Sequence, residues 1–120
     1  MVAGPANTSL PVVVTGDMNS GPKTDPAAYN ALVKEGRLTD TWTAAGLGAP
    51  PLSCCHLAPE DLISDPNATY TEDLDRVFTR GAFKVKNAHP VGNVVPSPPP
   101  EPFIWPSDHA GMVVTLATGS

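Results

Sequence analysis

Apolar and polar residues along this chain fall into short blocks rather than one long period, and each block predicts a short element. Pro11-Val-Val-Val-Thr15 is a β-branched run closed by Gly16, a pattern that predicts a strand buried on both faces. A polar cluster, Asp17-Met-Asn-Ser20, follows directly. Asp25 then stands as a helix N-cap before Pro26 at the first helical position. Tyr29, Leu32 and Val33 recur at helical spacing, and Gly36 ends the run. A second short helix is expected from Asp40, with Trp42 on its inner side and Gly46 as its terminator.

From Gly46 to about Thr71 no period emerges and Gly, Pro, Ser and Asp dominate, which predicts a long loop. Leu74–Arg80 and Phe83–Asn87 are two extended runs separated by Gly81-Ala82, the pattern of a hairpin. A further strand is expected over His89–Val95. The proline-rich stretch Pro96–Pro106 predicts extended loop with polyproline character, and Met112-Val-Val-Thr-Leu116 predicts a closing strand. No internal repeat and no linker divides the chain, so residues 1–120 read as a single module.

Composition narrows the picture further. A chain of 120 residues has the length of one ordinary domain, and its 15 prolines and 10 glycines favour short elements joined by many loops. A formal charge of -5 provides no basic field for nucleic acid or an anionic membrane, so a phosphate-bearing substrate would need a bound cation to offset repulsion. No apolar run has the length of a membrane span, and MVAGPANTSL has neither the basic start nor the apolar stretch of a secretory signal. Cys54 and Cys55 are adjacent, which strains a mutual disulfide. With only His56 beside them they do not complete a zinc site, so they read as packing or loop residues.

Three clusters able to carry chemistry sit where predicted strands meet loops: Gly16-Asp17-Met18-Asn19, Asp73-Leu74-Asp75 and Ser107-Asp108-His109. In extended backbone, residues two apart share a face, so Asp17 and Asn19 would point the same way off their strand. A carboxylate that accepts a proton beside an amide that donates to an oxyanion is a pair suited to activating water. The same residues also suit a turn in which they bond their own backbone. Asp108 and His109 can meet a hard cation and a phosphate, and Asp75 can hold the His109 imidazole in one tautomer; a solvated loop is the alternative for that dipeptide. His56 and His89 have no comparable neighbours and read as structural or surface residues.

The clusters acquire a common meaning from their order. Val12-Val-Val-Thr-Gly-Asp-Met-Asn-Ser20 resembles the strand and Gly-Asp-Phe-Asn-Ser motif of the endonuclease/exonuclease/phosphatase family, and Leu38-Thr-Asp-Thr-Trp42 resembles its Leu-x-Asp-x-Trp helix start. Glu72-Asp-Leu-Asp-Arg-Val-Phe78 resembles Arg-Ile-Asp-Tyr-Val-Phe, and Trp105-Pro-Ser-Asp-His-Ala-Gly111 resembles the closing Ser-Asp-His motif. The resemblance implies metal-dependent hydrolysis of phosphate esters, of the phosphodiesterase or nuclease class. It implies that Asp17 orients or deprotonates the attacking water and Asn19 contacts the scissile phosphate. Asp75 would pair with His109, His109 would stabilise the phosphoryl oxygens, and Asp108 would help bind a divalent cation, Mg2+ or Mn2+.

The implied fold class is α/β (α+β): half of a four-layer α/β sandwich, with one mainly antiparallel or mixed sheet carrying one or two helices on one face. The family's amino-terminal glutamate, asparagine and histidine have no counterpart before Pro11, so the cation is expected to bind weakly. A non-catalytic fragment or binding module with the half-domain fold is the competing reading. Half a sandwich would leave one apolar sheet face open. A homodimer, or the missing amino-terminal half, is the expected cover. In the third motif Asp73 and Arg76 replace the family's Arg and Tyr, which adds a carboxylate near the site and removes an aromatic.

Overall fold

β-branched runs and turn residues divide the chain into five strands and two short helices, seen in a computed structural model that describes residues 9–55 and 64–118. Strand β1, Val12–Asp17, lies at the edge of a three-stranded antiparallel sheet in the order β1-β3-β2, where β3 is Asp75–Arg80 and β2 is Thr39–Asp40. The expectation that β1 is buried on both faces does not hold. Val12 and Val14 are half-buried while Val13 is 48% exposed, because an edge strand is covered on one side and its pleat turns alternate residues outward.

Asp25 caps the first helix as its sequence requires: its carboxylate accepts from the backbone N–H of Ala27 and Ala28 at 3.1 and 3.0 Å. This helix, α1, runs Pro26–Asn30 and widens into a π-helical turn over Ala31–Glu35 before Gly36 closes it. The second, α2, is Thr41–Ala44, capped by Asp40. Its inward residue is Thr41, buried with its hydroxyl donating to the Val77 carbonyl at 2.8 Å, whereas Trp42 is only half-buried.

The expected hairpin between β3 and β4 is absent. Both edges of β3 are taken, by β1 and β2, so the next strand has no place beside it. Instead Gly81, at φ +103° and packed so closely that a Cβ would stand 3.1 Å from the Pro11 Cα, redirects the chain. Strand β4, Phe83–Val91, then pairs antiparallel with β5, Gly111–Thr118, as a second sheet. The separate strand expected over His89–Val95 is partly the end of β4, and Val94 beyond it is 76% exposed. Two antiparallel sheets and two short helices make a mixed α+β fold, with two sheets in the place of the one expected.

The core has two centres. Phe78, Val77, Leu74 and Leu38 are buried around β3, with the Tyr29 ring of α1 tilted against Phe78 at 6.0 Å. The proline-rich loop supplies the second: Phe103 and Trp105 are buried edge to face at 5.3 Å, and Tyr70 packs on Trp105 at 5.9 Å. His56 lies outside the described residues, and His89 is exposed. No helix among the described residues is long and apolar enough to cross a membrane.

Candidate active site

Antiparallel pairing of β1 with β3 puts the last residue of one strand opposite the first residue of the other, so Asp17 and Asp75 are register partners at one end of the sheet. The buried Ser53 fixes that end: its hydroxyl accepts from the backbone N–H of Leu74 at 3.2 Å and of Asp75 at 2.9 Å. The same segment reaches the closing loop. Ala110 N–H donates to the Ser53 carbonyl at 2.7 Å, Cys55 N–H to the Asp108 carbonyl at 3.3 Å, and Cys54 bridges to both Glu72 and His109. The Ser107 hydroxyl accepts from the His109 N–H at 3.0 Å and sets the turn.

These contacts deliver His109 to Asp75, with Nδ1 2.8 Å from the carboxylate Oδ2. With its proton on Nδ1, the imidazole is oriented by Asp75. That hydrogen bond raises the His109 pKa above its ordinary value; burial opposes the shift, and the charges of Asp75, Asp108 and Asp17 add to it. Three motifs therefore share one electrostatic neighbourhood. Nε2 faces Cys54 Sγ at 3.2 Å. Burial, with Asp108 and Asp75 behind it, also raises the pKa of Tyr70, whose hydroxyl donates to the Gly92 carbonyl at 3.2 Å. An open cleft of about 210 Å3 lies alongside, lined by Thr15 and Gly16 of β1, Asp75 and Arg76 of β3, and Gly111 and Met112 of β5.

Asn19 is positioned differently from the sequence argument. The extended backbone stops at Asp17, and Asn19 adopts φ +47° with its N–H donating to Asp17 Oδ1 at 2.8 Å. The alternation that would align the two side chains does not reach Asn19, because a local side-chain turn takes over. Both residues are exposed, as is Asp108.

Asp73 is not a carboxylate of the site. It is buried and paired with the Arg76 guanidinium at 2.5 Å, while Arg76 also donates to Asp40 at 2.8 Å. Asp40 accepts in addition from the Tyr29 hydroxyl at 2.9 Å and caps α2 through the Trp42 N–H. Arg76 lies over the Tyr29 ring at 5.3 Å. Gly21 packs directly on Asp73, where a Cβ would collide with its backbone and carboxylate. The two residues that depart from the family pattern thus neutralise one another beneath the site.

The cysteines also depart from expectation. Cys54 and Cys55 are joined in a disulfide, and Cys54 is almost fully buried. Together with His109 they form a group of potential ligands whose atoms all lie within 4.8 Å of one another. Ser53, Cys54 and Tyr70, which also reach this neighbourhood, lie in an aperiodic loop where the adjacent cysteines are the one sequence signal.

A hard cation such as Mg2+ takes oxygen donors and often keeps several waters, with one or two carboxylates from the protein. Among the described residues, the exposed carboxylates of Asp108 and Asp17 lie near enough to His109 to raise its pKa, but they form no close-set trio of ligand atoms with it. The sulfur-containing group does not suit Mg2+.

Neither curated proteins nor solved structures gave a match to this sequence. The profile of the endonuclease/exonuclease/phosphatase family, in contrast, matches residues 2–109, a span holding all four motifs through His109. Members of that family generally hydrolyse phosphoesters and typically depend on divalent metal ions. Matched over most of its length, with three motifs meeting at Asp17, Asp75 and His109, the chain belongs to the endonuclease/exonuclease/phosphatase family.

Proposed function

We propose that this chain carries a metal-assisted phosphodiester-hydrolysing site in which Asp17, Asn19, Asp75, Asp108 and His109 act together. The observation that supports it best is the pairing of Asp75 with both Asp17, as register partner, and His109, as hydrogen-bond partner. Residues from three separate segments converge there for no evident packing reason, since Asp17 is exposed and Asp75 and His109 are only half-buried.

In this reading Asp17 accepts a proton from the attacking water as its oxygen bonds to phosphorus and the ester P–O bond breaks. His109, held toward its protonated form by Asp75, donates to a phosphoryl oxygen and offsets the charge that develops there. Asp75 is a positioning residue. The Asn19 side-chain amide contacts the phosphate, and Asp108 holds the cation, which when bound supplies Lewis-acid polarisation of the phosphate.

The test is hydrolysis of bis(p-nitrophenyl) phosphate with Mg2+, comparing the parent chain with Asp17→Ala and His109→Ala. Losses of about a hundredfold or more are expected in both, the scale of a missing acid–base or oxyanion group. Equal rates in all three reject the catalytic assignment. A phosphate-binding module without turnover is the second reading, favoured by one observation: no trio of carboxylate and imidazole ligand atoms converges among the described residues apart from the sulfur-containing group. Calorimetric titration with Mn2+ separates the two readings, because a working site binds it well below millimolar. We also propose that two copies pair, covering Val13 of β1 and Val113 of β5, which are 48% and 41% exposed. Light scattering at micromolar concentration should give twice the monomer mass; a stable monomer removes that proposal.

A further inference from the structure

Hydrolysis as proposed leaves the two cysteines unused, although Cys54 touches its histidine and Cys55 lies close by. Cys54 Sγ, Cys55 Sγ and His109 Nε2 lie within 4.8 Å of one another, with Cys54 buried and the other two half-buried. Two sulfurs and an imidazole nitrogen are the donors that thiophilic tetrahedral cations of the zinc class select, and around one such ion the ligand atoms stand about 3.3–3.8 Å apart. Cys54 Sγ and His109 Nε2 are already 3.2 Å apart.

The imidazole is presented for such an ion. Asp75 occupies Nδ1 at 2.8 Å, which leaves Nε2 as the nitrogen directed at the sulfurs. Carboxylates orient zinc-bound histidines in this way. The backbone keeps the donors together independently of the sulfur–sulfur bond, through the bridges from Cys54 to Glu72 and His109 and the hydrogen bonds Ala110 N to Ser53 O and Cys55 N to Asp108 O.

We propose that reduction of the Cys54–Cys55 disulfide creates a zinc-class metal site ligated by both thiolates and by His109 Nε2, with water in the fourth position. A dithiol reductant supplies two electrons and two protons and is itself oxidised to a disulfide, while Cys54 and Cys55 become thiols. The arriving cation displaces both thiol protons, and the Nε2 proton where His109 carries one. Occupancy withdraws from the phosphate the same nitrogen that the hydrolytic reading assigns to it, so metal loading switches hydrolysis off. This regulatory consequence rests on that reading; the metal site itself does not.

The experiment uses the full chain, reduced with dithiothreitol, freed of it anaerobically and titrated with Co2+. One equivalent should produce thiolate-to-cobalt charge-transfer absorption and tetrahedral visible bands, bleached when Zn2+ displaces the cobalt. The oxidised chain should produce neither. Cys55→Ser, at the half-buried position, and His109→Ala should each weaken binding by about tenfold or more. Absence of the bands from the reduced chain, their presence in the oxidised chain, or unchanged affinity in His109→Ala overturns the site. In parallel, one equivalent of Zn2+ should stop Mg2+-supported hydrolysis by the reduced chain, and the Cys55→Ser variant should need about tenfold or more free Zn2+ for the same inhibition. Cobalt bands with no turnover in any state would uphold the metal site and reject the hydrolytic reading. Turnover unaffected at full zinc occupancy would overturn the regulatory link.

Discussion

Replacing Arg76 by Met keeps the length of the side chain and removes the charge that two buried carboxylates share. Arg76, Asp40 and Asp73 are 4%, 5% and 2% exposed, so water cannot take over what the guanidinium supplies. The guanidinium makes hydrogen bonds at 2.8 Å to Asp40, at 2.5 Å to the Asp73 carboxylate and at 3.1 Å to the Asp73 carbonyl. Removing one partner of a buried ion pair costs roughly 3–5 kcal/mol, mostly because the remaining charge is stranded. For a chain of this size, at roughly 4 °C per kcal/mol, the melting temperature should fall by about 12–20 °C. Urea titration and thermal melting provide the measurement. The double variant Asp73→Asn/Arg76→Met strands only Asp40, which still accepts from Tyr29 and Trp42. It should therefore be more stable than the sum of the single changes by about 0.5–3 kcal/mol. A loss under ~1 kcal/mol in Arg76→Met, the scale of an exposed pair, would refute the reading of Arg76 as the buried counter-charge that Asp40 and Asp73 share.

Asp75→Asn should lower the His109 pKa, read from its imidazole proton shifts against pH, because the hydrogen bond to Asp75 is the largest cause of the increase. The folded pKa lies above the unfolded value of about 6.5, so the stabilisation linked to it is complete below that pH and disappears as pH rises through the folded value. Stability curves in urea should show this decline in the parent and a flatter line in Asp75→Asn; parallel curves would refute it. Ser53→Ala leaves the N–H groups of Leu74 and Asp75 without their acceptor. It should cost about 1–3 kcal/mol in denaturant titration, and faster amide exchange at those two positions should accompany the loss.

Much of the molecule was legible in local chemistry. Asp25 and Pro26 announced α1 because cap and ring constraints act over three residues. The β-branched runs marked β1, β3 and β5, and the order of four motifs pointed to a family and to Asp17, Asn19, Asp75, Asp108 and His109 as candidate site residues. What the sequence could not determine is what each strand lies against. Whether Gly81-Ala82 closes a hairpin or moves the chain to another sheet depends on the edges of β3 already being filled by β1 and β2, a long-range fact absent from any window of residues. The same holds for charge and sulfur. Asp73 read as a site carboxylate until burial paired it with Arg76, and Cys54 and Cys55 read as loop filler until folding carried His109 to within 3.2 Å of a sulfur. Propensity and capping are local free energies, so they can be read in order along a chain, whereas pairing, burial and ligand convergence arise between segments far apart in sequence and exist only once the chain has folded.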